Sequence, residues 1–210
     1  MLCRRSNLIR AYIITFFVLV LCAKPCVLQA EDDSAFPNES RIKAAFLYNF
    51  LRFVDWPKVK RGDANEPIII GLIGKDIFGD VFDDLKDRTV EDRPVLLRRF
   101  KGFEELQKKE QEDKSEQKSQ IEAIRKSHLL YICPSEKKHI KELLELVKGY
   151  GVLTVADTEG FLESGGIINL LKEDNKVNFE INITAAKQAG FQVRSKLLRL
   201  AKRVYEPKDK

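Results

Sequence analysis

The residues from Pro67 to Gly74, with the sequence PIIIGLIG, form a continuous apolar run bounded by a proline and a glycine. An apolar run of this length without alternation indicates a β-strand that is buried on both faces. Such a strand needs a layer of helices on each side of its sheet. The run therefore restricts the chain to α/β architectures in which helices cover a central sheet.

Further strand and helix patterns alternate along the chain. A helix is predicted from Ser40 to Asp55, with Phe50 and Phe53 on its apolar stripe and Pro57 just beyond its end. Apolar runs predict strands at 95–97, 129–132 and 151–155, and helical spacing predicts helices at 77–85 and 134–147. This alternation predicts one mostly parallel sheet flanked by helices. Residues 104–126 are strongly charged, which we interpret as a solvated helix with a frayed or disordered middle.

The C-terminal part of the chain changes period. Residues 166–181 predict a β-hairpin that adds an antiparallel edge, with Phe179 on the core face and Glu180 on the opposite face. Asn182 or Thr184 is expected to cap the short helix that follows. From Ser195 to Val204, apolar residues at helical spacing predict a final amphipathic helix.

The first thirty residues have the organisation of a secretory signal peptide. Arg4, Arg5 and Arg10 precede the apolar stretch Ala11–Cys22, and Ala30 provides a small residue at a cleavage site. The alternative is an uncleaved anchor, but the stretch is shorter than the roughly 20 residues that a spanning helix needs. We therefore expect an exported, periplasmic protein that is cleaved near Ala30.

Net charge and cysteine content argue against a nucleic-acid-binding protein and against a disulfide-stabilised one. The chain has a formal net charge of +5, and four of its positive charges lie in the predicted signal peptide, so the remainder is close to neutral and gives no indication of nucleic-acid binding. Cys133 is the one cysteine after that segment, so no internal disulfide is expected. We interpret Cys133 as a small buried hydrophobe, with an intermolecular bridge as the alternative.

No motif in the sequence predicts catalysis, a cofactor or a metal. The glycines from Gly71 to Gly79 match neither G-x-G-x-x-G nor a P-loop, so a structural turn is favoured over a phosphate site. His128 and His139 lack further ligands at metal-binding spacing, and no serine lies in a G-x-S-x-G elbow. We therefore expect a protein that is not an enzyme.

Several residues remain candidates for binding. Trp56 is expected either to pack the first helix against the sheet or to anchor an interface. Glu180 is expected either to tie its strand to the next helix or to contact a ligand. A small ligand would lie where parallel strands end, which places Gly74, Cys133 and Asp157 near it.

Ordered sequence blocks resemble the YfiR/HmsC family across almost the whole mature chain. They are Ile42-Lys-Ala-Ala-Phe-Leu-Tyr-Asn-Phe50, Phe53-Val-Asp-Trp-Pro57, Ile70-Gly-Leu-Ile-Gly74, Val152-Leu-Thr-Val-Ala-Asp157, Gly165-Gly-Ile-Ile-Asn169, Phe179-Glu-Ile-Asn182 and Lys196-Leu-Leu-Arg-Leu-Ala201. The resemblance implies a small periplasmic α/β protein, with a Rossmann-like three-layer fold, that binds an inner-membrane diguanylate cyclase and holds it inactive. Some relatives carry redox-responsive disulfides, which a single Cys133 does not allow.

This resemblance and the residue patterns together define our expectations. We expect a non-catalytic regulator that binds the extracytoplasmic domain of an inner-membrane signalling protein, above all a diguanylate cyclase. Such binding would restrain cyclic di-GMP production and biofilm formation. The sequence also allows a homodimer. The alternative is a periplasmic small-molecule sensor that feeds a membrane kinase or cyclase; an enzyme on the same scaffold ranks third. The predicted segments are a signal peptide (1–30), a polar lead (31–39), the domain (40–205, with a charged insertion at 104–126) and a polar tail (206–210). Candidate partner contacts are Phe50, Phe53, Trp56 and Ile168, and candidate ligand contacts are Gly74, Asp157 and Glu180.

Overall fold

The computed structural model describes residues 35–57, 60, 66–85, 88–108 and 114–206. The predicted signal peptide lies outside these residues, as do the start of the polar lead and residues 109–113 of the charged insertion. The expectations for those segments therefore stay predictions.

Ten strands and six α-helices are present in the described part of the chain. The helices are α1 (Ala35–Phe53), α2 (Phe103–Lys108), α3 (Lys114–Lys126), α4 (Ile140–Val147), α5 (Ile183–Gln188) and α6 (Ser195–Leu200). Two 3₁₀ segments, Gly79–Leu85 and Pro134–His139, supplement them. The strands are β1 (Val54–Asp55), β2 (Ile68–Ile73), β3 (Thr89–Val90), β4 (Arg93–Phe100), β5 (Leu129–Ile132), β6 (Leu153–Ala156), β7 (Ile168–Glu173), β8 (Lys176–Asn182), β9 (Gln192–Val193) and β10 (Arg203–Tyr205).

Eight of these strands form one sheet, in the order β10-β8-β7-β6-β5-β2-β4-β3. The α/β class is therefore confirmed, and β2, the apolar run from which the prediction began, lies well inside the sheet. The expectation of a mostly parallel sheet was partly wrong. Strands β4, β2, β5, β6 and β7 are parallel to one another. Strand β3 pairs antiparallel with β4, β8 pairs antiparallel with β7, and β10 is parallel to β8. The hairpin is not an edge, because β10 extends the sheet beyond β8.

Apolar side chains cover both faces of the sheet. One core contains the buried side chains of α1, including Leu47, Phe50 and Leu51, together with Phe179 of β8. The other contains Ile124 of α3 and Leu143 of α4. Since residues alternate between the two faces of a strand, the central strands β2, β5 and β6 contribute to both cores. This two-sided burial explains why β2 is apolar throughout.

Helix α1 begins before the predicted N-cap at Ser40. Pro37 lies in its first turn, where the missing backbone N–H would have had no partner within the helix. The buried face of the helix includes Ala44 and Tyr48 beside Phe50, whereas Ile42 and Asn49 are exposed. The helix ends at Phe53, and the next two residues form β1, which pairs antiparallel with β9.

The predicted C-terminal helix was wrong in its second half. Helix α6 ends at Leu200, and Val204 lies in β10, in register with Ile181 of β8. The backbone N–H of Lys202 donates to the carbonyl of Phe179, and Arg203 is paired with Glu180. The helical spacing of apolar residues was misleading here, because Leu200 and Val204 are exposed and pack in neither core.

The hairpin turn and the cap after it agree with the prediction. Asp174 and Asn175 connect β7 to β8 and both have positive φ, as a two-residue hairpin turn requires. The side chain of Asn182 then accepts a hydrogen bond from the backbone N–H of Ala185 at 2.9 Å and so caps α5.

The charged insertion is less solvated than expected. Leu106 of α2 and Ile124 of α3 are buried in the second core, so both helices pack on the domain. Within the described residues, no helix is both apolar enough and long enough to span a bilayer.

Candidate functional site: the strand-end cleft

A polar cleft of about 690 Å³ lies beyond the carboxyl end of β6, and we call it the strand-end cleft. Its walls come from α1, from the segment after β6, and from β7, β8 and the start of β10. It is lined by Glu39, Lys43, Asp157, Glu159, Gly160, Glu163, Asn169, Leu170, Leu171, Lys172, Glu173, Glu180 and Arg203. Two of the predicted ligand residues, Asp157 and Glu180, therefore share one cavity, and Gly74 is not part of it.

Lys43 connects α1 to the floor of the cleft. Its Nζ is 2.5 Å from Oδ2 of Asp157 and 2.7 Å from Oε1 of Glu39, and the side chains of Lys43 and Asp157 are about nine-tenths buried. Burial alone lowers the pKa of Lys43, but its hydrogen bonds to Asp157 and then Glu39 outweigh burial, so the pKa is raised. Lys172 of β7 pairs with the other oxygen of Glu39 at 2.8 Å, and hydrogen bonds from Lys172 and Lys43 lower the pKa of Glu39.

Arg203 forms the opposite wall of the cleft. Its Nε and Nη2 donate to the two carboxylate oxygens of Glu180 at 2.7 and 2.8 Å, which is a bidentate pair between β10 and β8. Its Nη2 is also 3.5 Å from Glu163. Lys202 pairs with Glu173 at the outer end. Glu180 thus ties its strand to β10 and not to the following helix, which was one of the two roles predicted for it.

Beneath the cleft lies a small group of buried oxygen atoms. They are the Tyr131 hydroxyl, Asp157 Oδ1 and Thr158 Oγ1, and the Tyr131 hydroxyl hydrogen-bonds to the Asp157 carboxylate. Burial raises the pKa of Tyr131, and the negative charge of Asp157 raises it further. Asn169 accepts from the backbone N–H of Thr158 at 3.1 Å, which holds the segment after β6 against β7. Asp157 therefore binds Lys43 through one oxygen and lies within hydrogen-bonding reach of the buried Tyr131 hydroxyl.

Gly74 lies at a different place, where the chain supplies its own carboxylate. Glu136 is buried, and its Oε2 accepts from the backbone N–H of Phe103 at 2.9 Å at the start of α2. A Cβ on Gly74 or on Gly102 would lie 2.7 Å from Glu136 Oε1. The space beside Gly74, a candidate ligand contact, is thus occupied by the side chains of Ser135 and Glu136.

Cys133 follows β5 between these two places and is buried without a disulfide. Burial raises the pKa of its thiol to about 12, and the negative charges of Asp76, Asp157 and Glu136 act in the same direction. A thiol with so high a pKa is not a nucleophile at neutral pH. The interpretation of Cys133 as a buried hydrophobe agrees with this environment.

The four candidate partner contacts differ in their exposure. Phe50 and Ile168 are fully buried in the first core, so they are not available as surface contacts. Phe53 is half-buried, with Lys196 Nζ 5.2 Å from its ring centroid. Trp56 is also half-buried and packs edge-on against His128 and Phe191. Only Phe53 and Trp56 therefore remain as contact candidates.

The histidines do not form a metal site. His128 is buried beside Arg93 and Trp56, whereas His139 lies near Glu104 and Phe103. In the described ranges no group of three His, Cys, Asp or Glu side chains is arranged to hold a metal ion.

Lys43, Glu39 and Arg203 were not predicted as site residues. Lys43 was not singled out, although the i, i+4 spacing of Glu39 and Lys43 is a signal of an ion pair. Arg203 was assigned to a helix, and its pairing with Glu180 appears only once β10 is known. No local signal identifies that contact, because it depends on strand order.

Two solved structures are similar to this chain, and the first of them supports the fold. A conserved domain protein from Vibrio cholerae O1 biovar eltor has a similar solved structure, with a TM-score of 0.52 and 13% sequence identity over 79% of this chain. The ABC domain in complex with L-Trp from Streptococcus pneumonia has a TM-score of 0.47 and 10% identity over 66% of this chain. The chain spans 60% and 55% of the lengths of these two proteins. Among curated proteins no significant match is found.

The family model described as YfiR/HmsC-like matches residues 40–202, which is well over half of the sequence. The matched range starts in α1 and ends just before β10, so it includes both cores and nearly all of the residues that line the cleft. The chain belongs to the YfiR/HmsC-like family.

Proposed function

We propose that this protein is a non-catalytic periplasmic regulator that binds the extracytoplasmic domain of an inner-membrane diguanylate cyclase and represses it. The observation that carries the proposal is membership of the YfiR/HmsC-like family, a family of periplasmic regulatory proteins. A protein in the periplasm influences a cytoplasmic enzyme only through a partner that crosses the membrane. The proposal therefore requires a direct contact with such a partner.

The proposed contact is the surface around Phe53 and Trp56. These residues lie at the end of α1 and directly after β1, and both side chains are half-buried, so each presents an apolar surface that is already held in place. Because the chain without its predicted signal peptide is close to neutral, a few apolar anchors are favoured over long-range charge attraction.

A pull-down from solubilised membranes tests this proposal. The mature protein, immobilised through a C-terminal tag, should retain a membrane protein that mass spectrometry identifies as carrying a diguanylate cyclase domain. Phe53→Ala should reduce the amount retained about tenfold or more, as for an interface anchor. Tyr150→Ala is the matched control, because Tyr150 is an exposed aromatic residue far from Phe53 in the sequence. Retention of no membrane signalling protein, or equal loss with both variants, would contradict the proposal.

A further inference from the structure

We infer that two copies of this chain associate through the outer edge of β10, with residues 202–206 of each copy paired antiparallel about Val204. The inference goes beyond the proposed function, since it requires no membrane partner and is tested on the isolated chain. It also assigns an interface to the homodimer that the sequence allowed.

The first argument is that β10 ends the sheet with an open edge. It pairs with β8 on one side, and no strand among the described residues pairs with its other side. Arg203 and Val204 are exposed, and Tyr205 is half-buried. The free side of an edge strand carries backbone N–H and C=O groups without strand partners, which can pair with a strand of another chain. A further strand can therefore be added here.

The second argument is the exposure of apolar side chains at this edge. Leu200, at the end of α6, is 63% exposed, and Val204 in β10 is 42% exposed. Single exposed apolar residues are common on protein surfaces, but these two lie close together in the chain beside an open strand edge. Exposed apolar side chains that are grouped in this way indicate a surface that another protein covers.

The third argument identifies the occupant, because the segment is complementary to itself. Its sequence is Lys-Arg-Val-Tyr-Glu, with Val204 at the centre. In an antiparallel pair centred on Val204, Lys202 lies opposite Glu206 of the second copy, and Arg203 lies opposite Tyr205 of the second copy. Ion pairs, cation–π contacts and apolar contacts between opposite residues all stabilise paired strands.

The geometry within one copy agrees with this pairing. The Arg203 guanidinium is already 5.2 Å from the Tyr205 ring centroid, so these two side chains share one face of the strand. A two-fold interface places the same patch of both copies in contact, so the patch must be complementary to itself. The segment around Val204 meets that condition, and the favoured occupant of the edge is therefore a second copy of this chain.

The fourth argument is that the basic residues of the segment do not keep the copies apart. Positive charges often protect edge strands from pairing. Here Lys202 pairs with Glu173, and Arg203 makes its bidentate pair with Glu180, so both charges are compensated within each copy. Glu206 is exposed and has no ion pair with another described residue. Its carboxylate is therefore available to Lys202 of the second copy, whose ammonium group has three donors.

Sedimentation equilibrium of the mature protein, at concentrations from about 1 to 300 µM, tests the inference. We expect a monomer–dimer equilibrium with a dissociation constant of about 1–100 µM, because the paired segment is short. A protein that stays monomeric over this range would overturn the inference.

Two variants and a matched control locate the interface. Val204→Asp puts two carboxylates opposite each other at the two-fold axis and should raise the dissociation constant about tenfold or more. Glu206→Lys replaces each ion pair with two like charges and should raise it about three- to tenfold. Leu96→Asp, at an exposed position of β4 near the far end of the sheet, should leave it unchanged. Unchanged association of the two β10 variants, or an equal loss with Leu96→Asp, would contradict the assigned edge.

Disulfide formation tests the register of the pairing. Cys133 is buried and is the one cysteine after the predicted signal peptide, so a cysteine introduced into the segment is the exposed thiol. In the proposed pairing the two Val204 Cα atoms are about 4.5–5.5 Å apart, which a disulfide can span. The two Glu206 Cα atoms are more than about 10 Å apart, which is too far.

Val204→Cys should therefore form a covalent dimer under mild oxidation, whereas Glu206→Cys should remain largely monomeric. Equal cross-linking of the two variants, or none with Val204→Cys, would overturn the pairing about Val204. If circular dichroism shows that Val204→Asp is unfolded, the cross-linking result decides.

Discussion

At the scale of single residues, Gly74 shows how one position combines two requirements. Its φ of +98° is in the region that favours glycine, and the space beside it is filled by Glu136. Gly79 also has a positive φ, of +51°, but a Cβ there would meet no described atom within 4 Å. Substitutions at Gly74 and at Gly79 can therefore be compared to separate the cost of backbone strain from the cost of a steric clash.

We predict that Gly74→Ala destabilises the protein more than Gly79→Ala does. Gly79→Ala should lower the free energy of unfolding by about 1 kcal/mol through strain at positive φ. Gly74→Ala should lower it by about 1–3 kcal/mol more, because the methyl group would overlap the Ser135 hydroxyl and the buried Glu136 side chain. Urea denaturation of both variants measures the difference, and equal effects would show that Glu136 does not limit this position.

His128 is the second residue whose environment has a measurable consequence. Its Nδ1 accepts from the backbone N–H of Ile69 at 3.1 Å, which requires an unprotonated nitrogen, and Arg93 lies 3.4 Å from Nε2. Burial lowers the pKa of His128 from 6.5 to about 4, and the positive charges of Lys60 and Arg93 contribute. The folded protein therefore holds this ring in its neutral form.

We predict that His128 makes the protein sensitive to acid. Between pH 6.5 and about 4 the unfolded chain binds a proton at this residue and the folded chain does not, so stability falls as the pH is lowered through this window. The full loss is about 3 kcal/mol. His128→Asn, which keeps an acceptor near the Nδ1 position, should remove this part of the pH dependence in urea denaturation, whereas His139→Asn should retain it. If His128→Asn keeps the wild-type slope, the assignment is wrong.

At the scale of secondary-structure elements, the ion pair of Lys43 with Asp157 holds α1 to the end of β6. Both side chains are largely removed from water, so the loss of one partner leaves a buried charge without compensation. Glu39 and Lys172 extend the same network to β7.

We predict that Lys43→Met destabilises the protein by about 3 kcal/mol, whereas Arg52→Met, at an exposed position of the same helix, changes stability by less than about 0.5 kcal/mol. The double variant Lys43→Met with Asp157→Asn should be more stable than the sum of the single effects implies, because neither charge is then left alone. Thermal and urea unfolding of Lys43→Met, Asp157→Asn, the double variant and Arg52→Met give the four changes in stability relative to the wild type. Additive effects would show that the pair is not coupled.

The elements that the sequence predicted best are those with strong local patterns. Strand β2 and the turn at Asp174 and Asn175 follow from apolar runs and turn chemistry alone. The end of α6 was missed because Leu200 and Val204 keep a helical spacing while the chain has already entered β10. Of the residues that line the cleft, only Asp157 and Glu180 were predicted as ligand contacts. Lys43 and Arg203 reach the cleft through long-range packing that has no local signal in the sequence.

At the scale of the whole molecule, the two cores on either side of the sheet stabilise the fold without a covalent link. Cys133 is the one cysteine among the described residues, and it is buried and unpaired.

We predict that the thermal unfolding midpoint of the mature protein is the same with and without reductant. Because burial raises the pKa of Cys133 to about 12, the native thiol should also react with a disulfide reagent far more slowly than the unfolded chain does. A large fall of the midpoint under reductant would reveal an intermolecular disulfide through Cys133.

The central claim, repression of a membrane cyclase, is tested most directly by the cyclic di-GMP content of cells that lack the gene. The proposed function predicts that deletion raises cyclic di-GMP, that the wild-type gene restores the lower level, and that a folded Phe53→Ala variant restores it less well than Tyr150→Ala does. The claim is contradicted if deletion leaves the cyclic di-GMP content unchanged.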